Sequence, residues 1–494
     1  MGPILSLPLV REQIIPYAFA KQKKVLPLQQ DTSAIWVATA NLSDFDTFEE
    51  LRLLLKKPIR PLYFPPAEID QAIEECFRHK EEEARSFFSE NSTTAAEQND
   101  LENYDLLERG EQNPVIRMVN MALMEAIQQG ASDIHFEPSE EGSIIRYRID
   151  GMLQPRHSVS RDLTPQLSAR IKVLAKMDVS EHRLPQDGRI QLRHGGREID
   201  FRVSTLPVVH GERIVLRILD KGNVLVGLDR IGMDPILLAS FRLLLAAPEG
   251  ILLVTGPTGS GKTTTLYSAI SDLQASESNI MTIEDPVEYK LAGISQMHVN
   301  TRIDLTFAKG LRHILRQDPD VILIGEIRDR ETAEIAVQAS LTGHFVLTTL
   351  HTNDAPSALT RLVEMGIEPY LLASSVLGIL AQRLVRTICP HCKIDYLPTD
   401  RERQVCVLPN VKRLYKGTGC PHCFNTGYKG RQGIYELMQM SAPLKEQILR
   451  NQDAEQIRRL ALAQGMRTLF SYGATLVEQG ATTTAELLRI RGAG

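Results

Sequence analysis

The sequence predicts an α/β protein organised around one strand–loop–helix unit. Three observations carry the prediction. The stretch Gly256-Pro257-Thr258-Gly259-Ser260-Gly261-Lys262-Thr263 fits the phosphate-loop pattern G-x-x-x-x-G-K-[ST]. It lies between the apolar run Ile251–Val254 and a helical spacing of Leu266, Ile270 and Leu273. Two further strand-like stretches end in acids, Ile280–Ile283 before Glu284 and Asp285, and the apolar Val321–Ile324 before Gly325 and Glu326. Short buried strands with polar C-terminal ends are how α/β sheets present ligand sites.

The bulk numbers bound the rest. A chain of 494 residues predicts about three domains at roughly 150 residues each. Hydrophobic residues make up 43%, enough for ordinary cores, and the net charge is −5. That balance argues against broad charge-driven nucleic-acid binding, so no nucleic acid is expected. No apolar run reaches the roughly 18 residues of a membrane span, so no transmembrane segment is expected. Four of the six cysteines form two tight pairs. Such pairing points to metal in a reducing compartment, hence a cytoplasmic protein.

Residues 1–80 read as a small N-terminal domain, with a strand at Ala34–Ala38. Helices follow at Phe48–Leu55 and Ile69–Phe77. It carries no catalytic chemistry, and docking to a partner is its expected role. Residues 81–111 hold ten acids against two arginines around a Ser/Thr/Asn/Gln-rich middle. That composition buries little apolar surface and predicts an acidic flexible linker.

Residues 112–228 read as a second mixed α/β domain. Val115, Met118, Val119, Ala122, Leu123 and Ala126 share one helix face. Strands begin at Ser132–Pro138. In later strands Arg146, Arg148, Arg202, Arg213 and Arg217 alternate with apolar residues. As a set they can clamp a polyphosphate, whereas singly each is better read as a solvated sheet residue.

Residues 229–385 are the expected nucleotide-binding core. Backbone N–H groups of the phosphate loop hold phosphate oxygens, and the following helix aims its positive end at the same anion. Lys262 reaches the β- and γ-phosphates and the Thr263 hydroxyl binds Mg²⁺. Thr264 is counted with Gly256–Thr263 as nucleotide-binding. Glu284, Asp285 and Glu288 stand where acids hold Mg²⁺ through water or orient a nucleophile. In the second acid-ended strand Gly325 occupies the usual metal-ligand position. Glu326 is then the candidate to polarise the attacking water. His344 and His351 frame the next strand and are read as a sensor of nucleotide state. Arg312 and Arg316 share a helix face, and Arg328 lies near Glu326.

Residues 386–430 contain Cys389-Pro390-His391-Cys392 and Cys420-Pro421-His422-Cys423, with 27 residues between. Four thiolates suit tetrahedral Zn²⁺, with the intervening residues as an inserted loop. A redox reading needs one such pair in a thioredoxin-like fold, and two pairs fit a metal knuckle better. Residues 431–494, and 435–494 most clearly, read as a C-terminal helical region. Cys76 and Cys406 stand apart.

These boxes, in this order, resemble the type II secretion ATPases within the broader type II/type IV secretion family. Ser132–Pro138, Arg183–Arg189 and Leu315–Asp320 strengthen the match, which covers residues 112–494. The resemblance implies a RecA-like P-loop NTPase core with a zinc-binding insertion, preceded by a PAS-like domain. It implies a homo-hexameric ATPase using ATP, Mg²⁺ and Zn²⁺, cytoplasmic and peripheral to the inner membrane. Such a motor drives pseudopilus assembly and protein export across the outer membrane, docked on inner-membrane secretion components through the N-terminal domain. By the same resemblance Glu326 is the catalytic acid, and Arg202 and Arg217 reach the γ-phosphate. Arg312, Arg316, Arg328 and Arg361 match functional arginines, and Cys389, Cys392, Cys420 and Cys423 match zinc ligands. A pilus-assembly ATPase and a nucleotide-switched scaffold with little turnover are the competing readings.

Overall fold

A computed structural model describes residues 15, 19–20, 23–30, 34–42, 44–55, 57–70, 72–73, 114–194, 197–220, 227–273, 278–450 and 453–491. The expected linker, residues 81–111, lies outside them, as does Cys76. The chain divides into two units, Met1–Gly222 and Asn223–Gly494.

In the first unit, β1 (Val25–Gln30), β2 (Ile35–Thr39) and β3 (Ile59–Tyr63) form a small mixed sheet. Helix α1 (Phe45–Leu55) connects β2 to β3, which pair in parallel. Leu51, Ile69 and Ile73 join the strand residues in a core of their own.

Helix α2 (Pro114–Gln128) then buries Val115, Met118, Val119, Ala122, Leu123 and Ala126, the six positions that the spacing predicts. Six antiparallel strands follow: β4 (Asp133–Ser139), β5 (Gly142–Ile149), β6 (Met152–Ser160), β7 (Gln186–His194), β8 (Arg197–Val208) and β9 (Gly211–Asp220). Helix α3 (Thr164–Leu174) connects β6 to β7, and the sheet order is β6-β5-β4-β9-β8-β7. Side chains alternate across a strand. Ile134, Phe136, Ile145 and Tyr147 therefore pack with α2 and α3, and Asp133, His135, Glu137, Arg146 and Arg148 take the other face.

The second unit opens with α4 (Pro235–Leu245), whose Asp234 cap accepts from the N–H groups of Ile236 and Leu237. The main sheet then forms from β10 (Gly250–Thr255), β11 (Ile280–Glu284), β12 (Ser295–His298), β13 (Val321–Ile324) and β14 (Phe345–Leu350). Its last two strands are β15 (Val376–Ile388) and β18 (Tyr428–Gln439). The order is β12-β11-β13-β14-β10-β15-β18, parallel from β12 to β15. Every residue of β10, β13 and β14 is buried, as expected of a sheet covered on both faces. Helices α5 (Lys262–Leu273), α6 (Phe307–Ile314), α7 (Arg330–Leu341) and α8 (Ala355–Glu364) contribute to one continuous core with it.

Strand β18 corrects the expected helical tail, since Tyr435–Gln439 close the sheet antiparallel to β15. Six consecutive residues, Gly433–Met438, are buried. Buried continuously and interrupted only by Glu436, the stretch fits a buried strand or a buried helix equally well by periodicity, and pairing with β15 decides it. The helices begin later, with α11 (Ala442–Arg450), α12 (Ala454–Ala463), α13 (Leu469–Glu478) and α14 (Thr484–Arg491). Between β15 and β18 lies the insertion. It holds β16 (Lys393–Tyr396), α10 (Asp400–Val405) and β17 (Leu414–Gly417). Strands β16 and β17 pair antiparallel, and Cys406 is buried in a small satellite core. The remaining short helix, α9 (Pro369–Ser375), leads into β15. Among the described residues no helix is long and apolar enough to cross a membrane.

Candidate nucleotide site and metal knuckle

Strand β10 delivers the phosphate loop to the sheet edge where parallel strands end, and α5 begins inside the loop at Lys262. Two glycines are dictated by this course. Gly256 has φ +150, and a Cβ there would lie 2.4 Å from the Gln382 carbonyl oxygen. Gly261 has φ +89, a conformation other residues rarely adopt. Pro257, Thr258 and Gly259 are exposed, as are Thr263 and Thr264 on the first turn of α5, while Ser260 is buried. Lys262 folds back over the loop, and its Nζ donates to the carbonyls of Gly256 at 2.7 Å and Pro257 at 3.1 Å. Burial pushes the Lys262 ammonium down to about 8, against an upward pull from Glu326.

Glu326 follows β13 at the same edge. Gly325 before it is tightly placed, since a Cβ would lie 3.3 Å from Glu284 Cα and from the Ile283 carbonyl oxygen. An aspartate therefore does not fit there without a shift of the neighbouring strand. The Thr349 hydroxyl donates to the Gly325 carbonyl at 2.7 Å and the Ile327 N–H to the Thr349 carbonyl at 3.0 Å, which fixes Glu326 against β14. Its carboxylate pairs with Arg328 and accepts from His351 Nε2 at 3.1 Å. Asp285 lies 3.9 Å from Arg328.

The other acids and histidine of the expected set are placed differently. Glu284 is buried, and its oxygens accept from the Tyr267 hydroxyl, the Thr282 hydroxyl and the Gln296 amide. It braces the end of β11 rather than standing open. Glu288 is half-buried further along that loop. His344 is not brought to the cluster. The register pairs Gly250 with Phe345 and Thr255 with Leu350, so His344 stands where β14 begins and the loop stands where β10 ends. Six strand residues separate those edges, about 20 Å at roughly 3.3 Å each. His344 Nδ1 instead faces the Ala339 carbonyl at 2.9 Å.

Among the outlying arginines, Arg312 pairs with Glu331, Arg316 donates to the Arg312 carbonyl, and Arg361 pairs with Glu364. Arg361 lines a polar groove of about 390 Å³ with Thr352, Asn353 and Asp354.

In the first unit the arginine face is built, with two acids set into it that sequence reading missed. Asp133 accepts from Arg217 at 3.1 Å and lies 3.4 Å from Arg148. Glu137 pairs with Arg146 at 2.6 Å and Arg213 at 2.7 Å. Arg202 stands across from Arg217 in the β8–β9 ladder. Between the acids, His135 is 7% exposed, and burial with nearby Arg148 lowers its pKa, keeping it neutral. The alternation Asp133, His135, Glu137 was the available signal, since it puts all three on the arginine side of the sheet.

The four knuckle cysteines converge. All their sulfurs lie within 4.8 Å of one another. Cys389–Cys420 and Cys392–Cys423 are 3.8 Å apart and Cys420–Cys423 3.7 Å. A tetrahedron with metal–sulfur bonds of about 2.3 Å has sulfur–sulfur edges of about 3.8 Å, so the donor set fits. Burial opposes a thiolate at Cys423, yet N–H groups of Cys420 and Gly427 donate to its sulfur and draw it down to about 7. The insertion β16–α10–β17 supplies the long gap between the two pairs.

A phosphate loop at the C-terminal edge of a parallel sheet, with a paired glutamate two strands away, defines a P-loop ATPase. Residues 108–489 match the family described as Type II/IV secretion system protein, and residues 4–83 match the MshEN domain. The chain belongs to the type II/IV secretion system protein family. It is 44% identical to the type II secretion system ATPase E of Vibrio cholerae, over 99% of both chains. It is 53% identical to the type II secretion system protein HxcR of Pseudomonas aeruginosa, over 78% of this chain and 79% of that one. The pilus retraction motor PilT with bound ADP superposes with a TM-score of 0.51 at 27% identity, covering 76% of this chain and 96% of that one. The Legionella pneumophila ATPase DotB shares the fold, with a TM-score of 0.59 at 21% identity, covering 79% of this chain and 99% of that one.

Proposed function

We propose that this chain is the ATP-hydrolysing motor of a type II secretion system, working in the cytoplasm at the inner membrane as a homo-hexamer. The observation that carries the reading is Glu326, held by Arg328 and His351 at the sheet edge that bears the phosphate loop. Strand β13 lies two strands from β10, about 10 Å at roughly 4.8 Å per strand. That span suits a γ-phosphate and the water that attacks it. Loop N–H groups and Lys262 hold the triphosphate tail, and Glu326 orients and polarises the water. Mg²⁺ would supply charge neutralisation there, with the Thr263 hydroxyl and Asp285 as candidate groups to hold it. On the family resemblance we assign Arg202 and Arg217 to the γ-phosphate.

Counted from β10 as strand 1, with β11, β13, β14 and β15 following, the parallel core reads 5-1-4-3-2. This order supports the RecA-like reading, and the six-stranded sheet with its helices supports the PAS-like one. We assign Zn²⁺ to the four cysteines, where a closed tetrahedral set makes it structural. It would clamp the insertion where β15 and β18 leave the main sheet. The residue 1–80 domain is assigned to docking on inner-membrane secretion components.

Replacing the chromosomal gene by one encoding Glu326→Gln tests the reading. Exoproteins should accumulate inside the outer membrane while surface pili persist. Normal export with lost pili would favour the pilus-assembly alternative.

A further inference from the structure

Gln382 is a buried polar residue in the middle of β15, 2% exposed. Its side-chain Nε2 donates to the Ser260 carbonyl at 2.8 Å. Its backbone carbonyl oxygen lies 2.4 Å from where a Gly256 Cβ would be, and its Nε2 lies 3.2 Å from where a Gly261 Cβ would be. The first and last glycines of the phosphate loop therefore both close on one residue. The ladder explains this contact: Thr255 pairs with Ala381, so Gly256 leaves β10 beside Gln382.

The amide is costly as a purely structural element. Its Oε1 is buried without a hydrogen-bond partner among the described residues, as is the Ser260 hydroxyl beside it. A leucine would remove the unmet Oε1, but it would leave the Ser260 carbonyl without the donor that Gln382 supplies. The amide does have one geometric consequence. The peptide between Ser260 and Gly261 is trans, so its C=O and N–H point to opposite sides. Holding the Ser260 carbonyl toward β15 turns the Gly261 N–H away from β15.

We propose that Gln382 is a positioning residue for nucleotide binding: its amide fixes the Ser260–Gly261 peptide so that the Gly261 N–H faces a bound phosphate. It touches the loop and not the nucleotide. The proposal rests on residues 256–263 being the nucleotide loop, so wild type is measured alongside every variant.

The test is the full-length Gln382→Met variant, which keeps length and volume and removes the donor. Affinity for Mg-ADP is measured with a fluorescent ADP analogue. KM and kcat for ATP and the thermal midpoint are measured in parallel. The expected result is an affinity weakened about tenfold and KM raised by a similar factor, the scale of one lost hydrogen bond. The kcat stays within about threefold and the thermal midpoint within a few degrees. Gln382→Asn keeps the amide but retracts it by one methylene, and should show the same KM-weighted loss. Unchanged affinity and KM in a folded Gln382→Met chain overturn the proposal. So does a loss confined to kcat and thermal midpoint, or failure of both variants to fold, since each marks a packing residue. Wild type that binds no nucleotide overturns the loop reading itself and this proposal with it.

Discussion

His351 Nε2 lies 3.1 Å from a carboxylate oxygen of Glu326, a contact between the ends of β14 and β13. The carboxylate is the acceptor, so the ring nitrogen is the donor. The opposite side of Glu326 is held by Arg328. His351→Ala should therefore misalign the carboxylate without removing it. Steady-state phosphate release should show kcat lowered about tenfold with KM for ATP little changed, less than the loss from removing a catalytic acid.

Lys262 makes nucleotide binding depend on pH in a stated direction. Its charged form favours phosphate, and burial lowers its pKa to about 8. Above that pH the free loop loses its cation, so affinity for Mg-ADP should fall, by up to tenfold per pH unit. Titrations between pH 7 and 9.5 check this, with Lys262→Ala expected to bind weakly throughout. Linkage gives the opposite sign for stability. The unfolded lysine holds its proton to about 10.5, so the cost of burying the charge is fully present below about 8. It is relieved as pH rises from 8 to 10.5.

The knuckle should carry about one zinc per chain by elemental analysis of reduced protein. Cys420→Ser should lose that metal. It should also raise the proteolytic susceptibility of the insertion, residues 389–427, before that of the main sheet. Full metal retention in the variant would contradict a four-thiolate site.

Five consecutive residues after β14 are each held by a different element. His351 meets Glu326, Thr352 meets Thr255, and Asn353 accepts from Arg383. Asp354 accepts from Arg458 at 2.7 Å, and the Ala355 N–H donates to Glu436 at 2.9 Å. Glu436 is buried, and its other oxygen accepts from the Leu469 N–H that opens α13. Glu436→Ala leaves both N–H groups unmet and opens a cavity. It should destabilise the second unit by about 2–4 kcal/mol in denaturant unfolding. Burial raises the Glu436 pKa above its ordinary value. Its burial cost is therefore absent below the unfolded pKa and appears as pH rises through the window up to the folded pKa.

Where chemistry is local, the sequence was readable. The phosphate loop, the α2 face and the two cysteine pairs each declare themselves within a few residues, and the structure places them as read. The failures share one cause, since partners distant in sequence decide them. Gln382 acts on a loop 122 positions away. Asp133 and Glu137 matter through arginines on β5 and β9. Tyr435–Gln439 become strand because β15 offers a free edge. His344 and His351 look equivalent as a frame around β14. Yet parallel pairing with β10 puts one at each edge of the sheet, and only His351 meets Glu326.

The central claim is that the loop grips a triphosphate and Glu326 enables its cleavage. The direct measurement is the identity of the nucleotide retained by purified, folded chain after incubation with radiolabelled Mg-ATP. Wild type should hold and release ADP, while Glu326→Gln should hold ATP and produce ADP at least 100-fold more slowly. Equal ADP production by both, or no retained nucleotide on either, would contradict the account.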